Sequence, residues 1–458
     1  EIKSCEFKTI ISPLKPPYNL QNRGEHGVVI YKGENITIGD PLNSLNKNTF
    51  ENLYNGIYIK DENYLSFQNT ITTTYNTFKN IKGGPSLMGV NAPPWGTPYN
   101  LQYRGSAIFG NSTVQTNDTW LKHYGHDNAT IDFEECEKAI LVNGFNTEIH
   151  DSRVATTNSN FQPEAGFLTY KDDGKTIQIR RNKILNTILG IHLNGNTYFC
   201  DIHENEIETK TIYDYNTWPN PTYFTTKAID VAGYTLNNAI GGKIVDYNTI
   251  NISNTVGGEG ITVYKTAASY IKQNEIHFSS NDPAPDITTR PTLIGIKINK
   301  CEIGNVINNI SMLDNIGVLT NRRTLGIELA ESPMMSFDCN SNNDLHWGMF
   351  VRGNCTVLDY DEFKQNRFRT RFYGILHRHL GSQGYLGKNI GNFDVPNSIF
   401  FDPNNQFQDL QFLNFRLYRF VGGVCNAATP TSTFHTKLTA NTLDQNNVQH
   451  SWSSLALG

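Results

Sequence analysis

The chain has 458 residues, a formal net charge of −5 and only 18% charged residues, with 37 Gly and 18 Pro. This Gly and Pro content is too low for a collagen-like or disordered chain. No apolar run approaches the roughly 18 residues that a membrane-spanning helix needs, and no basic patch of the kind that binds phosphate backbones is present. We therefore expect a folded protein with no membrane span and no nucleic-acid partner.

One phrase recurs along the chain: Asn-x-(Phe/Ile), followed by Gly-Ile at a fixed distance. It begins at Asn48, Asn182 and Asn366, and looser copies of its Gly-Ile half occur along most of the sequence. Repeats with a period of about 20–35 residues indicate stacked supersecondary units. Because parallel crossovers are right-handed, the sequence predicts an all-β fold, a right-handed parallel β-helix (solenoid) of about 11–14 coils. We place it over residues 1–380, with long loop insertions.

The Gly-Ile half of the phrase predicts a strand in each coil, since apolar and polar residues alternate along it. A second set of short alternating segments, such as Ile177-Gln178-Ile179, lies between these strands, so each coil should hold two or three strands. The predicted Gly/Ala-Ile-like strands begin, in chain order, at Gly27, Gly56, Ala107, Ala139, Gly166, Gly190, Ala239, Gly260, Gly295, Gly326, Gly348 and Gly374.

The Asn of the phrase falls at a turn between strands. Asn tolerates left-handed backbone geometry, and its side chain could stack with equivalent Asn side chains in the coils above and below. The Phe residues two positions after the Asn are predicted to form a column in the core rather than a ligand site. These residues are Phe50, Phe78 and Phe368.

Two Pro-rich insertions end in nearly the same segment, Pro17–Gly24 and Pro98–Gly105. Insertions in repeat proteins project from one face, often the binding face, so the duplication predicts two equivalent loops on one side. One interpretation is a ligand surface, because Tyr and Trp rings supply flat apolar area with a polar edge. The other is a structural turn whose Arg side chains bond to carbonyls of their own loop. The candidate ligand-binding residues are Tyr18, Arg23, Trp95, Tyr99 and Arg104.

The five Trp residues are assigned mostly to insertions or turns: Trp95, Trp120, Trp218, Trp347 and Trp452. None of the seven Cys residues has a CxxC or Cys/His metal spacing, so no metal site is expected from them. Cys5 and Cys301 stand where the phrase has Asn, which predicts small buried residues in an inward column. Cys339 and Cys355 are the pair that an oxidising compartment would join as a disulfide.

No catalytic constellation can be assigned from the sequence. A glycoside hydrolase needs two carboxylates at the acid/base spacing, and a lyase needs a cation for the uronate carboxylate together with a base. The pair Asp172-Asp173 stands beside Gly174 and favours a turn. Asp359, Asp361 and Glu362 offer hard oxygen ligands that could bind calcium. The preferred interpretation of this cluster is a solvated surface, so no cofactor and no metal site are predicted.

The repeat resembles that of secreted and cell-surface parallel β-helix proteins. The segment Phe337–Asn340, continuing through Trp347 to Cys355, is similar to the last coils of large uncharacterised β-helix proteins of Bacteroidetes. That resemblance implies export by the type IX route and an extracellular or cell-surface location. Residues 381–458 lack the period and are predicted to cap the last coil, and an adjoining domain is expected before Glu1, since an exposed solenoid end needs a cap.

These observations favour a non-catalytic extracellular scaffold or adhesive module, either alone or as part of a larger polypeptide or surface assembly. Its expected partners are polysaccharides or other cell-surface proteins. The alternative is a polysaccharide lyase or glycoside hydrolase with a groove along the β-helix. A trimeric tailspike-like protein is a second alternative. An enzyme should bring ionisable side chains of successive coils together in one groove, whereas a stalk should show Asn ladders and scattered charges.

Overall fold

The computed structural model describes most of the predicted solenoid. Beyond Phe350 the description covers the backbone and the side chain of Asn366. The described residues are 2, 4–8, 24–31, 35–61, 69–83, 105–112, 118–127, 130–159, 161–210, 226–233, 242–253, 257–266, 268–279, 293–313, 324–332, 335–352, 362–364, 366–378, 389–390, 397–401, 416–421, 433–440 and 449–453.

The chain forms two compact units, Glu1–Glu208 and Thr209–Gly458, and every regular element in the described residues is a β-strand. The strands of the first unit, the last of which crosses the boundary, are β1 (Glu6–Lys8), β2 (Gly24–Tyr31), β3 (Ile36–Ile38), β4 (Thr49–Glu51), β5 (Leu53–Asp61), β6 (Thr70–Thr74), β7 (Thr77–Lys79), β8 (Ser106–Ser112), β9 (Trp120–Tyr124), β10 (Phe133–Glu134), β11 (Lys138–Asn143), β12 (Asn146–His150), β13 (Arg153–Ala155), β14 (Ala165–Tyr170), β15 (Thr176–Arg180), β16 (Lys183–Thr187), β17 (Leu189–Asn194), β18 (Phe199–His203) and β19 (Glu206–Lys210).

The second unit continues the same alternation of short strands and turns. Its strands are β20 (Thr226–Ala232), β21 (Gly242–Asp246), β22 (Thr249–Ser253), β23 (Gly258–Tyr264), β24 (Ala268–Lys272), β25 (Glu275–Ser279), β26 (Leu293–Asn299), β27 (Ile303–Ile307), β28 (Ile310–Leu313), β29 (Thr324–Ala330), β30 (Met335–Asp338), β31 (Ser341–Arg352), β32 (Glu362–Lys364), β33 (Arg367–Arg378), β34 (Asn389–Ile390), β35 (Asn397–Phe401), β36 (Arg416–Val421), β37 (Thr433–Ala440) and β38 (Gln449–Ser453).

Each unit is a right-handed parallel β-helix in which a strand pairs with the strand three places further along the chain. In the first unit, sheet A holds β2, β5, β8, β11, β14 and β17. Sheet B holds β3, β6, β9, β12, β15 and β18, and sheet C holds β1, β4, β7, β10, β13, β16 and β19. In the second unit, sheets A, B and C begin at β20, β21 and β22. A coil therefore has three strands, in the chain order A, B, C.

The later coils of the second unit depart from this plan in two ways. First, β31 and β33 are long strands that serve sheet C in their first half and sheet A in their second. Second, β38 pairs antiparallel with β37, whereas β36 and β37 still pair parallel with β33 and β35. The division at residue 380 between a solenoid and a capping segment stays a prediction.

The Gly-Ile phrase lies in sheet A, and the packing explains why it recurs. Its Ile side chain points into the coil and is fully buried, as for Ile57 and Ile261. A Cβ on Gly56 would stand 2.5 Å from the ring of Phe78, and a Cβ on Gly260 would stand 2.5 Å from the carbonyl oxygen of Gly295. The phrase at Ala239 lies outside the described residues, and β20 supplies the strand of that coil.

An Asn ladder runs along the corner between sheets B and C. Most Asn side chains of the ladder accept a hydrogen bond from the backbone N–H of the preceding rung and donate to backbone carbonyls, and the whole row is buried. Asn274 Nδ2, for example, donates to Val245 O at 2.9 Å and to the next rung, Asn309 Oδ1, at 2.9 Å. In the second unit the rungs are Asn248, Asn274, Asn309, Asn340 and Asn366, and in the first they are Asn48, Asn76, Asp132, Ser152, Asn182 and Asn205.

The predicted stacking of Asn side chains is confirmed, but the prediction of left-handed geometry at the Asn itself is wrong. At most rungs the left-handed residue is the one before the rung, for example Tyr247 (φ 54°) and Gln273 (φ 52°). The chain turns the corner at that residue, which leaves the following Asn free to direct its amide inward. A left-handed conformation costs a residue with a side chain about 1–2 kcal/mol, which the buried hydrogen bonds of the ladder offset.

The Phe column of the first unit is confirmed. Phe7, Phe50, Phe78 and Phe133 stack in successive coils, with ring centroids 4.9, 4.9 and 5.2 Å apart. Phe50, Phe78 and Phe133 are fully buried. The side chain of Phe368 lies outside the described residues.

The prediction of buried Cys residues is confirmed for Cys301 and wrong for Cys5. Cys301 is buried as predicted, but it occupies the corner between sheets A and B, where its N–H donates to Ser332 Oγ at 3.0 Å. Cys5 does precede the Phe column, since its N–H donates to Asn48 Oδ1, yet it is exposed, because β1 pairs with β4 on one side only. Cys355 lies outside the described residues, so the disulfide with Cys339 stays a prediction.

The assignment of the Trp residues to insertions or turns is wrong for three of them. Trp120 lies in β9, Trp347 in β31 and Trp452 in β38. The alternation of Trp120 with its inward neighbour Leu121 is that of an outward strand position, which the sequence pattern could have shown. The pair Asp172-Asp173 does lie in a turn, between β14 and β15.

Candidate functional site

Four long connections precede strands of sheet A, which makes the outer face of this sheet the first place to look for a site. Residues 80–105, 211–225, 280–292 and 314–323 all separate a strand of sheet C from the following strand of sheet A. By contrast, the corner between sheets B and C is mostly a tight turn built on the Asn ladder.

In the second unit the outer face of sheet A carries charges from successive coils. The parallel register aligns Lys227 with Glu259. A neighbouring row aligns Asp230 with Thr262, Thr262 with Lys297, and Lys297 with Glu328. We call these six residues the sheet A ionic cluster: Lys227, Asp230, Glu259, Thr262, Lys297 and Glu328.

Lysines hold the two carboxylates at the centre of this cluster. Lys227 Nζ lies 2.9 Å from Asp230 Oδ2 and 3.7 Å from Glu259 Oε2. On its other side Glu259 accepts a hydrogen bond from Lys297 Nζ, and Thr262 Oγ1 donates to Glu259 Oε2 at 2.8 Å. Glu259 therefore has three partners drawn from three coils.

Burial makes these contacts strong. Asp230, Glu259 and Glu328 are each only 5–6% exposed, so the ion pairs are screened less than surface pairs would be. Burial alone would lower the pKa of Lys227, but the charges of Asp230 and Glu259 outweigh it and raise that pKa. Lys227 is therefore held as an ammonium ion at neutral pH.

This arrangement is poorly suited to acid/base chemistry. A general acid needs a carboxyl group that keeps its proton near neutral pH, and a general base needs a pKa near the working pH. Asp230 and Glu259 are instead paired with lysines, and Lys227 itself keeps its proton. The cluster can bind polar or charged groups at its rim, and it ties three coils of sheet A together.

The outer face of sheet A in the first unit differs in carrying an apolar row. Register aligns Tyr58, Phe109, Leu141 and Leu168 in one row. Phe109, Leu141 and Leu168 are at most 5% exposed and form a cluster against which Tyr58 packs. The same sheet therefore presents an apolar row in one unit and an ionic cluster in the other.

A second group of ionisable side chains lies inside the first unit. Asp132 takes the place of an Asn rung, and its Oδ1 lies 2.5 Å from His126 Nδ1. Burial raises the pKa of Asp132, although hydrogen bonds from His126 and from the N–H of Arg153 oppose this. His123 is fully buried against Phe133, and burial together with the nearby His126 lowers its pKa to about 3. The group therefore consists of a neutral imidazole, that of His123, and of a buried acid, Asp132, that is hydrogen-bonded to His126.

The residues predicted from the duplicated loops cannot be placed. Tyr18, Arg23, Trp95, Tyr99 and Arg104 all lie outside the described residues. So do Asp359 and Asp361, while Glu362 is described only as backbone at the start of β32. The ligand surface of the duplicated loops and the solvated surface expected of the acidic cluster therefore stay predictions.

The sequence analysis missed the sheet A ionic cluster, although a signal for it was present. When the Gly/Ala-Ile phrases are aligned, Lys227 and Glu259 both stand just before the Gly or Ala. Asp230, Lys297 and Glu328 stand just after the Ile. Residues 31 or more positions apart in the chain become neighbours only through this alignment, which the register of sheet A makes visible.

Comparison with known proteins adds no further guide to the function. No family model matches the chain, and neither a curated protein nor a solved structure matches it. Among the described residues there is no helix long and apolar enough to cross a membrane.

Proposed function

We propose that the chain is a non-catalytic β-helix scaffold or adhesive module that works outside the cell or on a cell surface. The observation that carries the proposal is the pairing of Asp230 and Glu259 with Lys227 and Lys297. Where an enzyme would need one protonated acid and one free base, this face offers carboxylates that are already paired with lysines.

The Asn ladder supports the same proposal. A buried row of amides with most polar atoms bonded fixes the spacing of the coils, and satisfied polar networks make a structure rigid and specific. Rigidity along a solenoid suits a stalk or a surface platform. Polysaccharides and other cell-surface proteins are the partners that we propose for it.

A product assay tests the proposal directly. The purified protein would be incubated with acidic and neutral polysaccharides, with and without calcium, and assayed for new reducing ends and for unsaturated products. We expect neither product, while the same protein adsorbs to at least one polysaccharide or cell-surface preparation.

The result that would overturn the proposal is turnover that depends on the sheet A ionic cluster. A hydrolase would lose activity in Glu259→Gln, and a lyase would lose it in Lys227→Met or Lys297→Met. The matched control is Glu331→Gln, which breaks an exposed pair with Lys300 at 3.5 Å in the same unit and should leave any activity unchanged. The convergence of charges from successive coils is the observation that makes this enzymatic alternative worth testing.

A further inference from the structure

The outer face of sheet B in the first unit is a continuous polar and aromatic surface that neither the sequence motifs nor the proposed function has used. Strands β6, β9, β12, β15 and β18 lie side by side in register, each about 4.8 Å from the next. Alternate side chains of these strands point outward. The outward residues are Thr70, Thr72, Thr74, Trp120, Lys122, Tyr124, Asn146, Glu148, His150, Thr176, Gln178, Arg180, Phe199, Asp201 and His203.

The charges on this face are paired with each other. Lys122 Nζ lies 2.8 Å from Glu148 Oε2, and Arg180 Nε donates to Asp201 Oδ2 at 2.9 Å. Burial would raise the pKa of Glu148, but the hydrogen bonds from Lys122 and Tyr124 outweigh it and lower that pKa. Two cations and two carboxylates therefore cancel, and the face offers hydrogen-bond donors and acceptors with no net charge.

Aromatic rings stand beside these polar pairs. The Trp120 ring lies at one end of β9, with Lys122 Nζ 5.2 Å from its centroid. The Tyr124 ring lies at the other end, 5.7 Å from the His150 ring, and its hydroxyl donates to Glu148 Oε1 at 2.8 Å. Such rings present a flat apolar face with a polar edge, which is the surface that the C–H face of a sugar ring covers.

Two polar atoms on this face, His150 Nε2 and Thr74 Oγ1, have no hydrogen-bond partner among the described residues, and His150 lies beside the aromatic rings. His150 is only 9% exposed, and its Nε2 has no hydrogen-bond partner among the described residues. Glu148 Oε1 is 3.6 Å away, beyond hydrogen-bond reach. Burial, the largest influence, lowers the pKa of His150, so the ring is neutral at neutral pH. Since Arg181 approaches Nδ1 at 3.5 Å as a donor, the proton belongs on Nε2, which is then free to donate to a ligand oxygen.

We propose that the surface formed by Trp120, Lys122, Tyr124, Glu148, His150 and Arg180 binds an uncharged polysaccharide laid across the strands. This inference rests on the proposed adhesive function, to which it adds a site and a ligand class. The self-neutralised charges favour a ligand without charge, because a uronate or sulfate would have to displace Glu148 or Asp201 from its partner. The strand spacing of about 4.8 Å is close to the length that one pyranose ring adds to an extended glycan, so successive sugars would meet successive strands.

Affinity electrophoresis with the whole chain tests this site. Gels would contain a soluble neutral polysaccharide (a β-glucan, a xylan or a mannan) or an anionic one (polygalacturonate or alginate), at low and at high salt. We expect retardation by at least one neutral polysaccharide, unchanged by salt. Trp120→Ala and His150→Phe should each weaken it about tenfold or more, and Trp120→Phe should weaken it less than Trp120→Ala.

Tyr270→Ala is the matched control, since Tyr270 is an aromatic residue in strand β24 of sheet B in the second unit, likewise with a lysine, Lys272, 5.2 Å from its ring. It should leave retardation unchanged, and thermal melting would establish that each variant is folded. Retardation by anionic polysaccharides only, lost at high salt, would overturn the inference, as would retardation that Trp120→Ala does not alter. These two results would leave the proposed function standing. The proposed function would be overturned instead by new reducing ends or unsaturated products in the product assay.

Discussion

At the scale of single residues, the corner between sheets B and C depends on two consecutive residues with different roles, the ladder rung and the residue before it. At most rungs of the ladder, the preceding residue takes the left-handed conformation and the rung itself supplies the hydrogen bonds. Gln273 and Asn274 are one such pair, with φ of 52° at Gln273 and bonds from Asn274 to two neighbouring coils. The residues that take the left-handed position vary widely in type, which shows that the amide row rather than local preference determines the turn.

This division predicts that Gly is better than the native residue at the left-handed position. Replacing Gln273 with Gly removes a steric cost of about 1–2 kcal/mol and adds a smaller entropic cost in the unfolded chain. We expect Gln273→Gly to raise the free energy of unfolding by about 0.5–1 kcal/mol, measured by chemical denaturation. The control is Lys272→Gly, one residue earlier in β24, which should destabilise the protein by a similar amount. Equal losses in both variants would contradict this account of the corner.

A second prediction concerns the Gly of the Gly-Ile phrase. A Cβ at position 260 would meet the Gly295 carbonyl oxygen at 2.5 Å and Ile276 Cγ2 at 3.1 Å. We expect Gly260→Ala to cost about 1–3 kcal/mol, as overpacking of a close-packed core does. Gly242→Ala is the control, because the nearest atom to its added Cβ is a ring carbon of Tyr270 at 3.8 Å. A Gly260→Ala variant as stable as Gly242→Ala would show that the backbone of sheet A can shift.

At the scale of elements, the ladder couples each coil to the coils on both sides. Asn309 Oδ1 accepts from the N–H and the amide of Asn274, while its own amide donates to Ile271 O at 2.9 Å and to Asn340 Oδ1 at 3.0 Å. Removing the amide would leave donors and acceptors of two other coils unpaired. Each such buried group costs about 1–3 kcal/mol.

We therefore expect Asn309→Ala to lower the free energy of unfolding by about 3 kcal/mol or more. Asn305→Ala is the comparison, since Asn305 points outward from the neighbouring strand β27 and is only half-buried. That variant should change stability by less than about 0.5 kcal/mol. Guanidinium denaturation followed by circular dichroism would measure both, and similar effects would mean that the ladder contributes little to stability.

Much of this element level could be predicted from the sequence, because the Gly-Ile strands and the inward Asn and Phe columns each repeat one residue type at one place in the coil. What could not be predicted depends on register between coils of unequal length. Cys301 was placed in the wrong corner, since its neighbours Glu302 and Ile303 imitate the Asn phrase. The parallel register of sheet A makes neighbours of Lys227, Glu259 and Lys297, although insertions of different lengths separate their strands in the sequence.

At the scale of the whole molecule, one buried acid should make stability depend on pH. Asp172 is fully buried in the turn after β14. Thr169 Oγ1 donates to its Oδ2 at 2.5 Å, and Oδ1 has no hydrogen-bond partner among the described residues. Burial is the largest influence and raises the pKa of Asp172 from 3.8 to about 7. Because this pKa is higher in the folded chain, the folded state favours the protonated acid.

The stability that this proton provides is fully present below about pH 4 and is lost as pH rises toward 7. The rise in pKa corresponds to about 4 kcal/mol between these limits, as an upper bound. We expect Asp172→Asn to be more stable than the wild type at pH 8 and to show a flatter dependence of stability on pH between 5 and 8. Denaturation across this pH range would measure it, with Asp173→Asn, the exposed neighbour, as the control. Parallel curves for wild type and Asp172→Asn would contradict the prediction.

The constant register of the three sheets has a consequence for how such a chain can change its length. Each strand meets only the equivalent strands of adjoining coils, and each rung of the Asn ladder needs only another rung on either side. Recombination could remove or copy one complete turn, such as the segment from Asn248 to Gln273. After its removal the amide of Asn309 would meet the carbonyl oxygen of Val245, to which the amide of Asn274 now donates. Growth by whole turns therefore needs no new packing solution in the core, and the outward side chains remain free to diverge from one turn to the next.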